Sequence, residues 1–184
     1  MTDASWPSDP DADIPIRELA LHAGEAHTEV LRVVPELLRL SLDQLVARGE
    51  AELATLHGRG RLTDTELQQL LDLLRLIRSE ASPREKSEGV DGLLEHFRTS
   101  GAHPYAVVIA SIASASSLGF LRRTEEAGPE AVALKASQGA VVASDVVGGV
   151  LGVLVGDELC GVACGVLGGA CGAAGASLAA QELL

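Results

Sequence analysis

A chain of 184 residues fits one domain, or one small domain with an appendage. Its formal net charge of −12 argues against a nucleic-acid partner, because affinity for phosphates comes from Lys and Arg. Hydrophobic residues make up 47% of the chain but aromatics only 2% (Trp6, Tyr105, Phe97 and Phe120), so Leu, Val and Ala must build the core, and such residues let helix backbones approach closely.

Residues 1–16 are acidic, contain three prolines and read as a disordered arm. They lack the basic start and apolar stretch of a signal peptide, which points to a cytoplasmic setting or the cytoplasmic side of a membrane. From Ile16 to about His57 the pattern is helical: Val30, Leu31, Val34, Leu38, Leu42 and Leu45 form one stripe at three-to-four spacing, interrupted at Pro35. The glycines of "HGRGR" at 57–61 mark a turn. Thr63 followed by Glu66 is a capping box, flanked by a Leu62–Leu67 hydrophobic staple. Leu67, Leu70, Leu71, Leu74 and Ile77 then give an apolar face that needs helical partners, with Asp72 and Arg75 turned away from it. The polar run 79–92 breaks the pattern, although Ser82, Pro83 and Glu85 are suited to start a short helix, and 92–101 reads as another short amphipathic piece. Together, 17–100 predict an amphipathic helical bundle.

Residues 104–121 are uncharged and predict a helix buried in that bundle, since four serines make a poor membrane span. A charged connector follows at 122–135, turning at Gly128-Pro129. Within residues 136–184, the stretch 145–180 contains ten of the twenty glycines and all three cysteines. Two apolar arms, 136–156 and 159–180, flank the acidic sequence Gly156-Asp157-Glu158, which reads as the tip of an antiparallel helical hairpin. Each arm is about 20 residues, roughly 30 Å as a helix.

Glycine costs about 1 kcal/mol in a helix relative to alanine, so ten of them need a compensating role. Ser144, Gly148, Gly152 and Gly156 recur every fourth residue, as do Gly161, Gly165, Gly169, Ala173 and Ser177, and a second row runs Gly168, Gly172, Ala176, Ala180. Four-residue spacing places such residues on one face as a smooth groove for a neighbouring backbone. This pattern resembles the glycine zippers of small membrane-associated bacterial proteins, over about 40 residues. The resemblance implies an oligomerising, membrane-associated or pore-type protein acting through Gly148, Gly152, Gly156, Gly161, Gly165 and Gly169. The Ala/Gly-rich tail is also similar to the tails of some bacteriocin precursors, which would imply release of a C-terminal peptide.

Arguments for and against a membrane both exist in the residues. The bases Arg122, Arg123 and Lys135 all lie on the bundle side of the arms, as the positive-inside rule requires. Asp145, however, sits near the middle of the first arm, where a buried charge costs about 2.5–3.5 kcal/mol unless it meets partners or water. Self-association, a lipid bilayer, or a soluble helical adaptor with the hairpin as its own core are the partners and roles expected.

No catalytic, cofactor or metal site is expected. Cys160, Cys164 and Cys171 share a helix face, but Cys160 and Cys171 would be about 16 Å apart along one helix, too far for one ion. They read as small packing residues, and an odd number suggests no disulfide framework. His22, His27, His57, His96 and His103 are scattered without metal-ligand spacing. No nucleophile motif or phosphate-binding loop is present, and no small-molecule substrate is evident. The expectation is an all-α, non-enzymatic protein: a helical bundle followed by a Gly/Ala-rich hairpin.

Overall fold

A computed structural model describes residues 36–37, 39–126 and 131–181, with the side chains of 123–126, 131–138, 160 and 175–181 outside that description. The expected acidic arm, most of the first apolar stripe, Pro35, the Gly128-Pro129 turn and the Lys135 side chain therefore lie outside the described residues. Among the described residues the chain is all-α, with six helices: α1 Leu42–Gly58, α2 Asp64–Arg78, α3 Pro83–Ser100, α4 Pro104–Glu126, α5 Ala131–Cys160 and α6 Val162–Gln181.

The first three helices each open on a full capping box. In α2, Thr63 accepts from the Glu66 N–H while Glu66 reaches back to Thr63, as the sequence predicts. In α3, Ser82 and Glu85 do the same, with Pro83 in the first turn. The third box, Ser41 with Gln44, starts α1 at Leu42, inside the 16–57 stretch that the sequence predicts as helical, and the expected start at Ile16 lies outside the described residues. Helix α3 runs unbroken through Gly89 and Gly92 to the left-handed Gly101, where two short pieces are expected. Gly89 belongs inside the helix because Leu76 of α2 packs there: an added Cβ would lie 2.6 Å from a Leu76 methyl.

Helix α5 is the centre. Val142, Val146, Val147, Val150 and Val153 are almost fully buried, and they join Leu45, Leu53, Leu70, Leu74 and Ile109 in one core. It packs on α1, α2, α4 and α6. Gly49 of α1 marks one close approach, since a Cβ there would meet Leu74 at 3.1 Å and Val147 at 3.2 Å. Thus the hairpin shares its core with the preceding helices, and α5, at 30 residues, is about 45 Å long.

The hairpin turn differs from the expected one. Helix α5 continues through Gly156-Asp157-Glu158 and ends at Cys160, and the break is Gly161, with φ of 75°. The Gly161 N–H donates to the Asp157 carbonyl at 3.0 Å, the bond of a left-handed helix cap. Glycine adopts this backbone without the Cβ penalty, whereas the acidic residues stay helical and find their counter-charges in Arg59 and Arg61 of the loop between α1 and α2.

Candidate functional site

The described features that depart from ordinary helix packing are a glycine seam, a polar clamp at the hairpin tip, and a groove containing Asp145. The seam lies between α5 and α6. A Cβ on Gly152 would lie 2.5 Å from the Gly168 carbonyl carbon, and one on Gly156 would lie 2.5 Å from the Cys164 carbonyl carbon. Backbone therefore meets backbone, the contact that four-residue glycine spacing permits. On the α6 side Gly152 meets Gly168 first, with the Gly169 nitrogen at 3.0 Å, and Gly156 meets Cys164 first, with the Gly165 Cα at 2.8 Å. A Cβ on Gly165 itself would lie 2.6 Å from the ring of Tyr105 of α4, and one on Gly169 would lie 2.8 Å from Val153 of α5. Gly149 receives Ile112 of α4. Gly148 is buried, and Gly161 forms the turn.

The cysteines divide. Cys164 is fully buried and disulfide-bonded, so it is more than the small packing residue the sequence suggests; an odd count of three argues against a framework but is compatible with one bridge. Cys171 is free and half-buried. The side chain of Cys160 lies outside the described residues.

The clamp joins the hairpin tip to the rest of the fold. The Tyr105 hydroxyl donates to Asp157 Oδ1 at 2.6 Å, and Arg61 donates through Nε to Oδ2 at 3.3 Å while its Nη2 stands 3.0 Å from Oδ1. The Asp157 side chain is only 7% exposed, so this carboxylate is held by charge-assisted bonds largely out of water. The Arg59–Glu158 pair beside it, at 2.6 Å, is more exposed and contributes less.

Tyr105 is positioned in turn by the start of α4. Its N–H donates to His103 Nδ1 at 3.2 Å, and the two rings meet edge to face. The His103 N–H donates to Glu66 Oε1 at 2.6 Å, so the residue that caps α2 also anchors α4. Burial alone would raise the Glu66 pKa, but bonds from the Thr63 N–H, the His103 N–H and the Thr63 hydroxyl outweigh it and hold the carboxyl below its ordinary value. The local capping box is visible in the sequence. The Glu66–His103 and Tyr105–Asp157 contacts are not, because they join residues 37 and 52 positions apart.

Asp145, the buried polar candidate, lies at the middle of α5 and is 3% exposed. Ser116 of α4 donates its hydroxyl to Asp145 Oδ2 at 2.6 Å. Comparison with protein-family models, curated proteins and solved structures finds no match. No family identity therefore supplies a role for these residues, and their geometry must carry it. Among the described residues no group of three or more His, Cys, Asp and Glu side chains is placed to hold a metal ion. The Asp157 clamp is built to fasten helices, since both carboxylate oxygens are engaged by donors.

Proposed function

We propose that this is a non-enzymatic helical protein that self-associates through the outer face of α4 and α6. The observation that carries this reading is the composition of that face. Ser111, Ala115 and Leu118 of α4 and Ala163, Leu167, Ala170 and Ala174 of α6 are exposed, Leu118 and Leu167 each at 38%. No charged residue occurs over 104–121 or 162–181, in a chain whose overall charged fraction is 22%. A contiguous uncharged face of this kind is uncommon on a monomer and suits association. Its small residues favour close approach by another helix more than insertion into hydrocarbon. The net charge of −12 also opposes docking on an anionic bilayer.

A second reading is supported by α5. Gly139–Leu159 has 21 residues and a mean hydropathy of 1.9, enough to span a bilayer, while 89% of it is buried inside the fold. In that reading the bundle stores an apolar hairpin whose tip is fastened by the Asp157 clamp, and release of the clamp precedes insertion.

Sedimentation velocity across a wide concentration range tests the first reading. Reversible dimers or larger species are expected, and Leu167→Glu should give monomers with unchanged thermal unfolding. A wild-type chain that stays monomeric throughout would sink it. Flotation of that monomer with neutral phosphatidylcholine vesicles would then favour the second.

A further inference from the structure

Every residue of α5 from Val141 to Leu154 is buried, so for about four turns this helix has no side open to solvent. Its described neighbours take up part of that circumference. Gly149 and Asp157 meet α4, Gly152 and Gly156 meet α6, and Gly139 and Val147 meet α1. Helical geometry places Ser144, Gly148 and Leu151 on the remaining side, between α6 and α1. Val147 and Gly152 bound this side and are about 140° apart on the helix. Helices packed around a central one take about 60° each, so the gap has the width of one more helix. Ser144 is nevertheless 3% exposed and Leu151 7%, and the Ser144 hydroxyl has no hydrogen-bond partner. Burial on this side calls for a further neighbour.

We propose that residues 16–34 of the same chain dock here as an amphipathic helix, a strap that closes the last side of α5. These residues lie outside the described ones, and the chain re-enters the description beside the gap. Leu37 is buried in the core, and Leu42, which opens α1, sits against Gly139 near the amino end of α5. Only residues 35–41 separate Val34 from α1, an ordinary length for a connection between packed helices. The strap would therefore run back along α5, antiparallel to α1. As a helix it is about 28 Å long, enough to cover Val141 to Leu154, about 20 Å. Its pattern suits the position. Ile16, Leu19, Ala23, Ala26, Val30 and Val34 fall on one face, while Arg17, Glu18, Glu25, Glu29 and Arg32 fall outside it. The two alanines come at mid-length, level with Gly148, where two backbones can approach closely. A short tether gives the strap an effective concentration in the millimolar range, an advantage over a second copy. This contact is on a different side of the molecule from the α4–α6 face, so it holds whether or not the chain self-associates.

The test uses the full chain at a concentration where sedimentation shows monomer. A diazirine analogue of leucine, nearly isosteric with the natural residue, is placed at Leu19 in one sample and at Leu21 in another. Leu19 belongs to the proposed contact face and Leu21 to the opposite one. After irradiation and proteolysis, mass spectrometry maps the cross-links. The Leu19 probe should join its own chain within 144–158, and the Leu21 probe should give at least about tenfold less of that product. Ala26→Glu buries an unpaired charge in the contact and should lower the Leu19 yield at least about tenfold, whereas Glu29→Gln on the outer face should leave it unchanged. No link from Leu19 to 144–158, equal yields from the two probes, links only between two chains, or a Leu19 yield that survives Ala26→Glu would overturn the proposal. Should Ala26→Glu fail to fold, the comparison of the two probes decides alone.

Discussion

A single methyl group at Gly152 should open the hairpin, while the same change at Gly92 should stabilise the protein. Both glycines are helical, so each gains up to about 1 kcal/mol from the better helix propensity of alanine. At Gly92, in α3, an added Cβ meets nothing within 4 Å, and that gain should be realised. At Gly152 the methyl would stand 2.5 Å from the Gly168 carbonyl carbon and 3.0 Å from the Gly169 nitrogen. Both are backbone atoms and have no rotamer by which to move aside. Restoring ordinary contact at 3.4 Å requires α5 and α6 to separate locally by at least about 0.9 Å. A gap of about 0.5–1 Å forfeits a quarter to a half of each dispersion contact it spans. Overpacking at the upper end of its usual range, about 3 kcal/mol, set against about 1 kcal/mol of propensity, leaves a net loss of about 2 kcal/mol. For a chain of this size that lowers Tm by about 4–8 °C, whereas Gly92→Ala should raise it by about 2–4 °C. Urea titrations and thermal melts followed by circular dichroism measure both. A Gly152→Ala variant as stable as the wild type would refute the backbone-to-backbone seam.

Three further outcomes are expected. Tyr105→Phe removes the donor to Asp157 Oδ1 and should cost about 1.5–3 kcal/mol in urea unfolding, the range for hydrogen bonds to charged groups; no loss would mean that the hydroxyl is dispensable to the clamp. Glu66 has a folded-state pKa below its ordinary value of 4.5, so its contribution is complete above that value and is lost as pH falls through the lower folded value. The stability difference between wild type and Glu66→Gln should therefore shrink across that acid range, and a pH-independent difference would contradict the assignment. Lys86 donates to the Ile77 carbonyl at 2.8 Å, and burial pushes its pKa down against the opposing effect of Glu80. Its deprotonation on folding should make stability rise with pH between its lowered value and the ordinary lysine value, and Lys86→Met should remove that alkaline rise.

Local chemistry was legible in the sequence where its partners are three or four residues apart. The Thr63–Glu66 and Ser82–Glu85 boxes and the apolar face from Leu67 to Ile77 needed no knowledge of the fold. The Ser41–Gln44 box has the same spacing but was hidden within a longer apolar stripe that suggested continuity. Elsewhere, tertiary partners overrode local signals. The polar run 79–92 read as a break in the pattern, yet α3 passes through its Gly89 and Gly92 and uses the first to seat Leu76. Asp157 and Glu158 looked like a solvated loop, yet they remain helical opposite Arg61 and Arg59. The four-residue glycine rhythm predicted close helix contact, but not that Gly168, Gly165 and Gly169 would face three different neighbours. Asp145 stood out as costly, while its meeting with Ser116 depends on how α4 lies across α5.

The central place of α5 also sets an order of assembly. Synthesis runs from the amino terminus, so α1 to α4 emerge before the helix around which they pack. Gly49 waits about 100 residues for Val147, or about 5–20 s at usual elongation rates. During that interval the apolar sides of Leu45, Leu53, Leu70 and Leu74 lack their shared neighbour. For a nascent chain of this design, exposure of apolar surface, and with it the tendency to aggregate, is concentrated in the seconds before its central helix is complete.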